Sequence, residues 1–137
     1  MPFRRISEVE SVEVGAPFRR SLKLVLSPQE GGVQALTFLM CTIYPHTPSS
    51  LHHHDHSGEL MYFVAGRGRG TLGDESFDIE PDTVLYAPPG VDHRIVNIGD
   101  EPLKIACVFV PPVPANYVES AVEAARTEAE QRAIADD

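Results

Sequence analysis

Short apolar runs, several of them alternating with polar residues, carry most of this chain. Residues 21–27 (SLKLVLS) alternate. After the Gly31-Gly32 turn comes a longer apolar run, residues 34–44 (QALTFLMCTIY). Pro45 and Pro48 place residues 45–50 in a loop, because proline cannot donate to a sheet ladder. Residues 60–66 (LMYFVAG) read as a strand, GRGRG at 66–70 opens a hairpin, and GDES at 73–76 is a turn before Phe77-Asp78-Ile79. Residues 83–88, 93–98 and 103–110 follow, separated by Pro-Gly and Gly-Asp segments. The pattern predicts about eight strands spaced roughly ten residues apart with no helical period among them, which is how an all-β sandwich or barrel reads.

The two ends differ from this middle. Residues 1–17 are mixed in polarity and read as an arm or edge strand. From residue 114 the chain is rich in Ala and Glu, with Val118, Ala121, Val122, Ala125 and Ala129 at helical spacing. Asn116 and Glu119 resemble a capping box in which Asn stands where Ser or Thr is usual. The apolar stripe is mostly alanine, so the helix buries little area alone and is expected to pack on the barrel or on a second subunit. The expected organisation is one domain: residues 1–113 as a β-barrel with an N-terminal arm, residues 114–137 as the helix.

Composition narrows the function. Twenty acids against eleven bases give a formal charge of -9, and no basic patch interrupts it, which argues against a nucleic-acid or anionic-membrane partner. No apolar run approaches the roughly 20 residues of a bilayer span, and the two N-terminal arginines are not followed by the apolar segment of a secretory signal. A cytoplasmic location is expected, with Cys41 and Cys107 as reduced core thiols.

The chemistry concentrates in LHHHDHSGE, residues 51–59, which holds four of the six histidines. An internal run broken by Asp55 is not an affinity tag, and four histidines in five positions are improbable on a merely solvated loop. Metal ligation is the remaining reading. On an extended strand alternate side chains share a face, so His52 and His54 point together and His53 points away. His56 shares their parity, so a His54/His56 pair is geometrically possible. Ser57-Gly58 allows a turn that brings Glu59 alongside, and His93 is the candidate for a fourth ligand; His46 reads as a surface loop residue. Asp55 and Asp92 read as exposed, with orientation of the ligand imidazoles as their alternative role.

These residues resemble the cupin family. Its first motif, G-x5-H-x-H-x3,4-E-x6-G, reads here as His52, His54, Glu59 and Gly66; its second, G-x5-P-x-G-x2-H-x3-N, as Pro88, Gly90, His93 and Asn97. The leading glycine of each motif is replaced, by His46 and by Asp82, which bears on the rim loops because such glycines usually permit positive φ; Asp accepts the left-handed region better than His. The resemblance implies a double-stranded β-helix (jelly-roll barrel) in which His52, His54, Glu59 and His93 bind one divalent transition metal: Fe, Mn, Ni or Zn. Three neutral imidazoles and a carboxylate would leave an open, positively charged ion suited to a small oxygenated organic acid or aromatic substrate.

Strand parity then names the surroundings. Met61 and Phe63 share a face with Glu59, and Ile95 and Asn97 with His93, making these four the candidate substrate pocket, whereas Arg94 points away. On the long strand, Phe38, Met40, Thr42 and Tyr44 form one face and Leu39, Cys41 and Ile43 the other; the loop at 45–51 leaves open which is inward. Tyr86, Tyr44 and Tyr62 are candidates for a general acid or base. The functional expectation is a metal-dependent dioxygenase, lyase, isomerase or decarboxylase acting on a small molecule. The alternatives are a non-enzymatic small-molecule-binding module and an accessory cyclase-like protein of a biosynthetic system. A homodimer is expected, because a sheet edge needs covering.

Overall fold

The computed structural model describes residues 2–136. Ten strands form two antiparallel sheets: β1 (Val12–Val14), β2 (Arg20–Leu26), β3 (Thr37–Ile43), β4 (Thr47–Pro48), β5 (Gly58–Ala65), β6 (Gly68–Leu72), β7 (Glu75–Ile79), β8 (Thr83–Ala87), β9 (His93–Asn97) and β10 (Leu103–Val110), with α1 (Tyr117–Ala135) after them. One sheet runs β1-β2-β3-β10-β5-β8 and the other β4-β9-β6-β7. Neighbours in each sheet are mostly distant in sequence, and β3, β10 and β5 pair in long registers. This is the all-β jelly-roll expected from the strand pattern, closed by one C-terminal helix.

One of the ten strands, β4, goes beyond the sequence reading, while β1 realises the edge-strand alternative given for the N-terminal residues. β1 is the arm, paired with β2 through Val12↔Leu22 and Val14↔Arg20. β4 contains Pro48, assigned to a loop above; it pairs only with β9 at the edge of its sheet, where a missing N–H costs no ladder bond. The long strand also starts at Thr37 rather than residue 34, since residues 34 and 35 turn. Asn116 precedes the helix but makes no side-chain cap hydrogen bond, so the capping box does not form; its carbonyl instead accepts from the Ser120 N–H at 2.9 Å.

Period-two burial builds the interior. Along β10, Leu103, Ile105, Cys107 and Phe109 are buried, while Lys104 and Val110 are exposed. Along β5, Glu59, Met61 and Phe63 point inward, and Leu60, Tyr62 and Val64 face out. Leu39, Cys41 and Ile43 join this main core, which settles the facing of β3. Met40, on the outer side, is buried as well: the arm folds back so that Val9 and Ile6 cover Val25 and Met40. The helix lies on its own barrel through Tyr117, Val118, Ala121, Val122 and Ala125, with Val118 and Ala125 buried. No described helix is long and apolar enough to cross a membrane.

The rim loops resolve the two replaced glycines. His46 and Asp82 are the two non-glycine residues of positive φ among the described residues, at 56° and 68°. The turns keep the backbone that glycine would adopt freely, at the modest cost of the left-handed region. Each is tied by its side chain: His46 Nε2 lies 2.7 Å from Asp100, and the Asp82 carboxylate accepts the Tyr62 hydroxyl.

Candidate metal centre

His52 and His54 sit on an extended segment, not in a named strand. The segment is pinned to β9 by a reciprocal pair of backbone bonds, His52 N–H to His93 O at 3.1 Å and His93 N–H to His52 O at 2.8 Å. A third bond, Gly90 N–H to His54 O at 2.9 Å, fixes its far end. The bridge sets the His52 and His93 rings 4.4 Å apart between centroids. β5 then returns through Ser57 and Gly58, and Glu59 enters beside them; Ser57 Oγ donates to Pro111 O at 2.8 Å and anchors that return. The donor atoms of His52, His54, Glu59 and His93 all lie within 4.8 Å of one another. That is close enough that bonds of about 2.0–2.2 Å to a single ion need only small side-chain movements.

Hydrogen bonds set the imidazoles' orientation. Nδ1 of His52 donates to Ser50 O at 2.8 Å and Nδ1 of His93 to Val91 O at 3.2 Å, which turns both Nε2 atoms toward the common centre. These orienting acceptors are backbone carbonyls, not Asp55 and Asp92. Both aspartates instead bracket His53, at 3.0 and 2.8 Å, on the exposed side of the segment. His56 is exposed and lies outside the cluster, as does His46. The set therefore pairs His52 with His54.

Glu59 Oε1 receives Nε2 of His54 at 3.0 Å and Nε2 of His93 at 3.1 Å while only 5% exposed. Burial opposes its charge, but the two imidazoles prevail and hold the carboxyl down at about 2. Burial first and the neighbouring His93 second push His52 down to about 4, so it stays neutral with a free lone pair. For His93 burial works against protonation, yet the Glu59 hydrogen bond and charge outweigh it and raise the value. An ionised carboxylate beside imidazole nitrogens, buried and pre-oriented, is a donor set that fits a divalent transition metal.

The centre forms one wall of a small, open-mouthed cavity. Leu22, Leu39, Ile43, Met61, Ile95 and Ile105 make its apolar surface. Of the four pocket residues expected from parity, Met61 and Ile95 line it. Phe63 and Asn97 are buried beyond it. Phe63 is part of the core, and Asn97 donates to Ile43 O at 3.0 Å and Glu101 O at 2.8 Å, a structural tie between β3 and the turn after β9. The three candidate tyrosines lie outside the cavity. Tyr86 and Tyr62 stand on the outward faces of β8 and β5, and Tyr44, past the end of β3, donates to Glu13 at 2.6 Å. Inward-facing positions of β5 and β8 have the other parity, so no rotamer of Tyr62 or Tyr86 enters the barrel.

Two lining residues escape a sequence reading. Tyr117, first residue of α1, caps the cavity with its ring 5.6 Å from His54 and 5.3 Å from Phe109. Burial, ahead of the Glu59 charge, raises its hydroxyl pKa far above the ordinary tyrosine value. Arg20, on β2, also lines the cavity, and its Nη1 is buried with no hydrogen-bond partner. The alternation Arg20-Leu22-Leu24 was a signal for the arginine; nothing local marked Tyr117, whose position depends on where the helix docks.

Comparison with known proteins agrees with this geometry. An uncharacterized protein of Methanocaldococcus jannaschii is 45% identical over 62 residues, 45% of this chain and 50% of that protein, so the match spans half of that relative. The polyketide synthase CurC of Streptomyces cyaneus is 28% identical over 110 residues, covering 80% of this chain and 71% of that one. Among solved structures, a predicted oxalate decarboxylase from Thermotoga maritima superposes with a TM-score of 0.71 at 22% identity, over 78% of this chain and 96% of that one, a likeness of fold. The family model described as "Cupin domain" matches residues 39–109, just over half of the chain and reaching from within β3 to within β10, and on that match the chain belongs to the cupin family.

Proposed function

We propose that this chain is a metal-dependent cupin enzyme acting on a small oxygenated organic acid or aromatic compound. The observation that carries the reading is the convergence of His52, His54, Glu59 and His93 on one wall of an otherwise apolar cavity. A bound divalent metal would supply Lewis-acid polarisation of a substrate oxygen or, for iron, activation of O2. The protein's own part follows from its residues. His52, His54 and His93 offer nitrogen donors, and Glu59 brings the one negative charge to the donor set. The aliphatic wall excludes bulk water, and Tyr117 holds its proton at the cavity cap.

Among the reaction classes, decarboxylase or other lyase chemistry has the support of a relative named oxalate decarboxylase, 31% identical over 75 residues, and isomerase chemistry that of one named glucose-6-phosphate isomerase, 37% identical over 65 residues. Dioxygenation is the iron-specific branch of the same reading. A second reading, an accessory cyclase-like protein in a biosynthetic system, has the support of the likeness to CurC. The experiment that separates them is anaerobic reconstitution with Fe2+, Mn2+, Ni2+ or Zn2+, followed by turnover and O2-uptake assays against carboxylates and catechols. Turnover without O2 supports the lyase branch, and uptake with Fe2+ alone supports the oxygenase. A metal-loaded protein inert toward every small substrate removes the enzyme reading.

A homodimer belongs to the same proposal. β8 is a free sheet edge, and around it Leu60, Tyr62, Val64, Val84 and Tyr86 are exposed, a surface that a second copy would cover. Equilibrium sedimentation reads the stoichiometry directly.

A further inference from the structure

Arg20 is an anomaly in a barrel interior. Its backbone is held between two strands, opposite Val14 on β1 and Ile43 on β3, and its parity with Leu22 turns the side chain inward. There it meets Cys41, Cys107 and Tyr117, whose ionised forms its charge favours. None of these is a counterion. No ion pair among the described residues involves Arg20, and Nη1 is the one fully buried side-chain nitrogen or oxygen among them that lacks a partner. Glu59 is the sole acidic residue lining the cavity, and it is engaged by His54 and His93, with the Cys107 thiol beside it. Arg20 as a whole is half-buried, but keeping its Nη1 out of water with its hydrogens unused costs free energy that packing alone does not return.

We propose that Arg20 is the anion-recognising residue of this cavity: its guanidinium seats a carboxylate of the substrate, while another oxygen of the same small molecule faces the His52, His54, Glu59 and His93 wall. The inference rests on the metal-site reading for the second contact only. The geometry of the guanidinium suits the task, since its planar fork pairs with both oxygens of a carboxylate. Charge agrees: a divalent ion held by three neutral imidazoles and one carboxylate keeps a positive excess, and Arg20 adds to it, so the cavity favours anions although the chain as a whole carries -9. A substrate offering no negative group would leave the buried Nη1 as unpaired as before, so neutral sugars and hydrocarbons are disfavoured.

The test compares wild type with Arg20→Met and Arg20→Gln, each as full chain, metal-loaded and metal-free. Metal content is measured by elemental analysis, stability by thermal unfolding, and binding by calorimetric titration with acetate, pyruvate, malonate and succinate, with dimethyl malonate as the neutral control. The expected result is that wild type binds at least one of the four acids and not the diester. Both variants then lose that affinity by roughly tenfold or more, keep their metal, and unfold at the same or a higher temperature. Equal affinity in wild type and variants overturns the proposal, as does wild type binding none of the four acids. Marked destabilisation of both variants also overturns it, because the arginine would then be structural. Wild type that holds no metal but still binds acids through Arg20 would sink the metal-site reading and leave this one standing.

Discussion

Replacing Glu59 by Gln tests the electrostatics of the centre directly, because the change keeps shape and removes charge. In the metal-free protein Glu59 is buried and accepts from two imidazoles at 3.0 and 3.1 Å. Holding its carboxyl from 4.5 down to about 2 corresponds to roughly 3 kcal/mol in favour of the ionised form, at 1.36 kcal/mol per tenfold. A carboxyl depressed in the folded state stabilises above its unfolded value, near 4.5, and that stabilisation is lost as pH falls toward about 2. His93 contributes with the opposite sense: its raised value stabilises below 6.5 and the gain is lost as pH climbs through the folded value. The advantage of wild type over Glu59→Gln is therefore greatest near pH 5 to 6 and shrinks on both sides, with an acid arm of roughly 3 kcal/mol. For a chain of this length that is a difference in Tm of roughly 10 °C. The assay is thermal unfolding of both metal-stripped proteins from pH 2.5 to 8. A stability difference that stays constant from pH 6 to 2.5 would show that the Glu59 charge is not what the two histidines hold, and would refute the reasoning.

The remaining predictions concern the ligands and the frame. Elemental analysis of untagged protein is expected to find about one transition metal per chain, lost in His52→Ala and His93→Ala but retained in His53→Ala, whose side chain engages Asp55 and Asp92 on the exposed side; equal loss in all three would sink the parity argument. Gly66→Ala should destabilise by at least about 2 kcal/mol in chemical unfolding, since φ there is +89° and the added carbon would stand 2.8 Å from Leu103 Cα and closer still to Pro102 O. Cys41 and Cys107 are buried, with Cys41 pushed up to about 12 chiefly by burial, so a disulfide reagent at pH 8 should label neither until the protein unfolds. Labelling of the native protein at the rate of a free thiol would contradict the burial of both thiols.

Residue spacing alone determined a good deal here. Side-chain parity along a strand is a local property of extended backbone, so the common facing of His52 and His54, the turning away of His53 and Arg94, and the shared face of Met61 and Glu59 could all be read from position in the chain, whereas the choice of His52 over His56 as the partner of His54 came from the structure. The His46 and Asp82 turns were likewise legible as places needing a left-handed backbone, because that demand comes from the turn itself. Tertiary structure decided the rest. Which face of β3 looks inward depended on how the chain re-enters the sheet after residues 45–51, and two-residue β4 exists only because β9 lies beside it. Tyr62 and Tyr86 fell outside because β5 and β8 turn their other parity to the core, while Tyr117 arrived through helix docking and Arg20 through closure of β2 over the cavity. Local periodicity says which residues travel together; only the closing of one sheet against another says what they meet, since those contacts join segments that the chain's own covalent geometry leaves independent.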